Sequence, residues 1–146
     1  MRVVFRKGKR GLCYWTAYPR KRRPASGVGG GTGRTLPHDL LQFVVEREHG
    51  RRHGFWGCLA DGATFRSLAK TDRRPTRPGR AVIAAHVGEL DAIEMLVGRE
   101  LDAWLAGEDS PVTRALATTR ERWLAMDDGD ELDLEFTPLC EPGRRR

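Results

Sequence analysis

The stretch LPHDLLQFVVEREHGRRHGFWG, residues 36–57, contains the strongest structural and chemical signals of the chain. Pro37 suits a first helical turn behind Thr35 as a cap, and Gly50 suits the end of a helix. Between them the apolar residues recur at helical spacing. This pattern predicts an amphipathic helix that runs to about Glu48 and turns its apolar face toward a core.

Two segments outside this stretch predict strands. The runs RVVFR (residues 2–6) and LCYWTAY (residues 12–18) flank the Gly-containing sequence KGKRG, which is a hairpin signal. Leu132, Leu134 and Phe136 alternate with acidic residues, which predicts a half-buried strand. Pairing this strand with the hairpin gives a small antiparallel sheet, packed on about four helices in an α+β fold.

The other helices are predicted from spacing and from end signals. A short helix is expected near Phe55. One long helix is expected from Ala81 to Ala106, where apolar residues recur every three or four positions. Ser110 and Pro111 form a cap followed by a proline that suits the first helical position, so another helix begins there.

A chain of 146 residues fits a single domain over residues 1–146 with one core. Residues 19–35 lack apolar periodicity and predict a flexible loop rich in Gly and Arg. Residues 70–80 predict a second, polar loop, and residues 143–146 a basic tail.

Composition narrows the class of protein. Hydrophobic residues make up 39% and charged residues 32%, which is typical of a globular protein. No apolar run reaches the length of a membrane span or a signal-peptide core, so we expect no membrane partner. Cys13, Cys58 and Cys140 lie far apart and form no CxxC pair, which favours reduced thiols and a cytoplasmic location.

The net charge of +6 is unevenly distributed. No acidic residue precedes Asp39, whereas residues 81–143 hold fifteen acids and four arginines. One interpretation is a basic surface for a polyanion, with nucleic acid or an acidic protein as the partner. The other is that the two halves neutralise each other in the fold. The polyanion-binding candidates are Arg20, Lys21, Arg22, Arg23 and Arg34.

Two pairs of side chains have spacings that metal sites use. Glu46 and His49 are three residues apart on the first predicted helix, and His86 and Glu89 are three apart on the long one. If the helices pack antiparallel, these four side chains could converge on one divalent metal ion. The alternative is that they form a solvated charged face and a hydrogen-bonded core histidine.

His38 and Asp39 are the candidate catalytic residues, with His38 as an acid–base group. The alternative for Asp39 is a structural one, because a carboxylate in a first helical turn also favours the helix dipole. Tyr14, Trp15 and Tyr18 lie among basic residues and could stack on nucleic-acid bases. On a small sheet such aromatics also serve as core and cross-strand pairs.

The motifs LPHDLxxFVVE, residues 36–46, and GFWGxxAxGA, residues 54–63, resemble a group of small bacterial proteins of unassigned function. In that group a histidine often stands where this chain has Gln42, and the resemblance implies no activity. Taken together, the patterns favour a small binding or regulatory protein that contacts a polyanion through its basic N-terminal half. A metal-dependent enzyme with a helix-borne Glu/His site is the alternative.

Overall fold

The computed structural model describes residues 1–30, 35–68 and 74–137. The described chain forms an α+β fold, as predicted. Its strands are β1 (Arg2–Lys7), β2 (Cys13–Tyr18), β3 (Ala25–Gly29) and β4 (Glu131–Glu135). Its α-helices are α1 (His38–Glu48), α2 (Phe55–Ala60), α3 (Arg77–Ala85), α4 (Val87–Leu105) and α5 (Pro111–Leu124).

The four strands form one antiparallel sheet in the order β3-β2-β1-β4. The predicted hairpin is β1 and β2, and the predicted last strand pairs with β1. The register places Phe5 opposite Trp15 on one side and Leu132 on the other. Because side chains alternate along a strand, this register collects the apolar residues on one face of the sheet.

This inner face of the sheet packs against the helices through an aromatic cluster. Phe5 meets Phe43 of α1 and Trp56 of α2 edge to face, with ring centroids 5.3 and 5.6 Å apart. Trp15 meets Trp56 in the same way at 4.8 Å. Edge-to-face contacts of this kind add to the free energy gained by burying the rings. The core therefore lies between the sheet and α1, and α4 and α5 pack on α1.

The third strand corrects the prediction of a flexible loop over residues 19–35. Ala25–Gly29 pairs with β2 throughout, and Gly27 lies against the Trp15 ring so closely that a Cβ atom would overlap it. A strand whose buried positions are Ala and Gly carries no apolar periodicity, so sequence reasoning missed it. The rest of this predicted loop includes residues 31–34, which lie outside the described residues.

The helices depart from prediction at three ends. The first begins at His38 with Pro37 as its cap, not with Thr35. The expected long helix is two helices that break at His86, whose φ of −129° and ψ of 22° are not helical. The first of these starts at Arg77, inside the predicted polar loop, with Thr76 accepting a hydrogen bond from the Gly79 amide. Among the described residues, no helix combines the length and apolar character that crossing a bilayer demands.

Candidate functional site

The outer face of the sheet, opposite the core, carries two Arg–Tyr pairs. Arg2 stands opposite Tyr18 and Arg6 opposite Tyr14 across the β1–β2 ladder. The Arg2 guanidinium lies 5.1 Å from the Tyr18 ring centroid, and the Arg6 guanidinium 4.6 Å from that of Tyr14. Both distances fall within the range of a cation–π contact. Planar groups thus extend along two neighbouring strands on a surface that does not contribute to the core.

This outer face is concave and partly apolar. A depression of about 400 Å³ is lined by the Arg–Tyr pairs, by Val4 and by β3 residues that include Ser26 and Val28. Tyr18 and Val28 retain 41% and 42% of their surface exposed to solvent. Exposed apolar and aromatic side chains that share one concave face are typical of a binding surface.

Acidic residues of β4 neutralise part of the charge on this face. Arg2 forms an ion pair with Asp133 at 2.8 Å, and Arg6 stands opposite Glu131 in the register. The expectation that the two halves of the chain neutralise each other therefore holds at the β1–β4 pair. Such exposed ion pairs contribute little to stability. The other half of the face, formed by β2 and β3, has no acidic side chains.

Exposed cations flank β2 at both ends. Lys9 and Arg10 lie in the turn before the strand, and Arg20, Lys21, Arg22 and Arg23 follow it in the loop that leads to β3. The Arg22 side chain lies over Gly62 at the end of α2. Four of the five predicted polyanion-binding residues therefore lie exposed in the loop between β2 and β3, and Arg34 lies outside the described residues.

Trp15 belongs to the core and is not a stacking platform. Its indole Nε1 donates to Asp39 Oδ2 at 2.9 Å. Asp39 thereby satisfies a buried donor, which gives this predicted catalytic residue a structural partner. His38 is half exposed, with Nδ1 3.9 Å from Asp39 Oδ1. The neighbouring Asp39 carboxylate raises the pKa of His38, partial burial opposes that shift, and Glu94 adds to it.

Glu46 serves the start of α2 and does not face a metal site. Its Oε1 accepts from the Phe55 amide at 2.7 Å and from Gln42 Nε2 at 2.9 Å, while Oε2 accepts from the Trp56 amide at 3.0 Å. Glu46 is fully buried, and burial raises its pKa to about 7 against the opposing effect of these donors. Gly54 allows the close approach, because a Cβ there would overlap the carboxylate.

The predicted convergence of Glu46, His49, His86 and Glu89 on one metal ion is wrong. Glu46 is engaged by the donors of α2, and His49 Nε2 pairs with Glu100 Oε1 of α4 at 2.8 Å. The other two residues do come together, but with His53. Glu89 contacts both His53 and His86, and the two imidazole rings stack with centroids 3.8 Å apart. Sequence reasoning missed His53 because it lies in the α1–α2 connection, outside any helical stripe.

No protein-family model, curated protein or solved structure matches this chain. The resemblance to small bacterial proteins therefore stays a prediction.

Proposed function

We propose that this protein is a non-enzymatic binding module for single-stranded nucleic acid. We name the binding surface the β2 track: Tyr14 and Tyr18 with their arginine partners, the adjoining face of β3, and the cations at the two ends of β2. The observation that carries the proposal is the coincidence of two aromatic–guanidinium pairs on one concave face with exposed cations at both ends of β2.

The aromatic part of the β2 track supplies contacts to bases. Tyr14 and Tyr18 are four positions apart on one strand, so their Cα atoms are separated by about 13 Å at the usual rise. Bases stack on tyrosine rings and on guanidinium planes, and each stacked base contributes about 1–3 kcal/mol without much dependence on sequence. Val28 and Ser26 extend this surface across β3.

The cationic part of the track supplies contacts to phosphates. Arg20, Lys21 and Arg23 are exposed and sit on the side of the sheet away from the acidic strand β4. A single strand that neutralises phosphates on these side chains releases counterions, which makes the affinity fall as salt rises. With about three phosphate contacts, the slope of log K against log salt is expected to be about −2 for a single strand.

The test is a titration of single-stranded DNA and RNA of about 15 nucleotides, near the upper end of common site sizes, across a salt series. The double variant Tyr14→Ala, Tyr18→Ala is expected to weaken binding by about 1–3 kcal/mol per lost stack while leaving the salt slope nearly unchanged. The triple variant Arg20→Ala, Lys21→Ala, Arg23→Ala is expected to flatten the slope by about 2.

A matched triple variant controls for net charge. Arg77→Ala, Arg80→Ala, Arg114→Ala removes the same three positive charges from exposed helix positions. It is expected to change the affinity and the salt slope only slightly, because charges far from the bound strand are largely screened by salt. If wild type shows no binding at low salt, or if this control and the loop triple variant lose affinity equally, the proposal is wrong. An affinity and a salt slope that stay unchanged in both β2-track variants would contradict it as well.

A further inference from the structure

We propose that His53, His86 and Glu89 form a binding site for one divalent transition-metal ion of the zinc class, distinct from the β2 track. One potential ligand atom from each residue lies within 4.8 Å of the other two. Nδ1 of His53 is 2.9 Å from Glu89 Oε2, and Nδ1 of His86 is 3.0 Å from Glu89 Oε1. Two imidazoles and one carboxylate are a donor set that zinc and its neighbouring divalent metals take in proteins.

The fold brings these donors together from two separate segments. His53 lies in the connection between α1 and α2, while His86 and Glu89 lie at the start of α4. His86 is the residue at which the α3–α4 helix breaks, and its non-helical backbone separates the two helices. An ion at this position would join the α1–α2 connection to the α3–α4 junction, so its binding would stabilise the folded protein.

The two imidazoles present the same nitrogen atom to one carboxylate. Their rings are 3.8 Å apart between centroids and inclined by only 9°, and the Nδ1 atoms lie 2.9 and 3.0 Å from the Glu89 oxygens. Imidazole binds metals through a ring nitrogen, so these two Nδ1 atoms are the ligands we assign. Each side chain is about a quarter exposed, at 25% for His53 and 23% for His86, so both rings have space to turn toward one ion.

The surroundings supply an outer carboxylate and space for an exogenous ligand. Asp61 Oδ2 lies 3.9 Å from His53 Nε2, near enough to become an outer-shell acceptor for that nitrogen when Nδ1 binds the metal. A hollow of about 40 Å³, lined by His53, Glu89 and Gly54, is large enough for one water molecule as the fourth ligand. Arg51, which is exposed, also lines this hollow and would favour an anion there.

The test uses full-length protein without a histidine tag, freed of metal by a chelator. Zn²⁺ is titrated by calorimetry and Co²⁺ by the visible absorption of its d–d bands. We expect one ion per chain, an absorption spectrum of nitrogen and oxygen ligation, and a higher midpoint of thermal unfolding with Zn²⁺. His53→Ala and His86→Ala are expected to abolish binding, and Asp61→Asn to weaken it about tenfold as an outer-shell partner.

Two further variants keep the result interpretable. Circular dichroism of the metal-free protein shows whether an alanine variant has failed to fold. Glu89→Gln preserves the shape of an exposed side chain, and it is expected to weaken binding without affecting the fold. His49→Ala removes an equally exposed histidine that pairs with Glu100 outside the cluster, and it is expected to leave the affinity unchanged. The absence of saturable binding would overturn the proposal. So would binding that survives both His53→Ala and His86→Ala, or that is lost in His49→Ala.

Discussion

Glu46 shows at the scale of one residue how a polar side chain in a helical stripe can have a purely internal role. The carboxylate has no solvent contact and satisfies two backbone amides at the start of α2 as well as the Gln42 amide. Backbone donors in the first turn of a helix lack partners within that helix. Glu46 is therefore best understood as a cap that α1 provides for α2.

The raised pKa of Glu46 predicts a pH dependence of stability. The folded protein holds this proton more tightly than the unfolded chain does, because the buried carboxylate is poorly solvated. The resulting contribution is complete below pH 4.5 and is lost as the pH rises toward about 7. Over that window we expect the free energy of unfolding to fall by up to about 3 kcal/mol from this group.

Denaturant unfolding across this pH window checks the expectation. Glu46→Gln removes the titrating group and should remove this part of the pH dependence. Glu48→Gln, the same substitution two positions along α1 on a side chain that pairs with Arg47 at the surface, should retain it. An unchanged pH profile in Glu46→Gln would show that Glu46 is not the group responsible.

The predictions for single residues succeeded where the contacting residues lie close together in the sequence. His86 and Glu89 are three apart near a helix start, and they do meet. Their third partner, His53, comes from 33 positions earlier in the chain, through the packing of two connections. Spacing along one helix carries no information about such a contact, so the chosen partner His49 was the wrong histidine.

At the scale of elements, α2 depends on close backbone approach. A Cβ at Gly57 would overlap the carbonyl group of Arg52, whereas a Cβ at Gly98 of α4 would meet no atom within 4 Å among the described residues. We expect Gly57→Ala to destabilise the protein by about 1–3 kcal/mol, as overpacking does. Gly98→Ala should stabilise it by about 0.5–1 kcal/mol through helix propensity.

The midpoint of urea unfolding for the two variants measures this difference in sign. Both substitutions add one methyl group to a glycine inside a helix, so propensity alone would move both midpoints upward. Equal stabilisation by both would contradict the close contact between Gly57 and the Arg52 carbonyl.

Elements with periodic apolar residues were predictable, and those shaped by small residues were not. Alternation, helical spacing and helix caps predict strands β1, β2 and β4 and helices α1 and α5. Ser110 is one such cap, and its side chain accepts a hydrogen bond from the Thr113 amide. Strand β3 has Ala25 and Gly27 at its buried positions, and its stability comes from pairing with β2. The break at His86 has no proline to signal it, although Gly88 follows closely.

At the scale of the whole molecule, the division of charge along the chain has two outcomes. Where β1 meets β4, basic and acidic residues neutralise each other, as the Arg2–Asp133 pair shows. Around β2 and β3 the cations have no acidic strand beside them. Sequence composition alone could not separate these outcomes, because the order of strands in the sheet decides which charges become neighbours.

The measurement that tests the β2 track most directly is the change in backbone amide chemical shifts during titration with a single-stranded oligonucleotide at low salt. We predict that the largest changes fall on β1, β2, β3 and the loop of Arg20–Arg23, and that they reverse when salt is added. The amides of α4 and α5, on the far side of the core, should change little. Changes centred on those helices, or no change at any oligonucleotide concentration, would contradict the proposal that the sheet face binds nucleic acid.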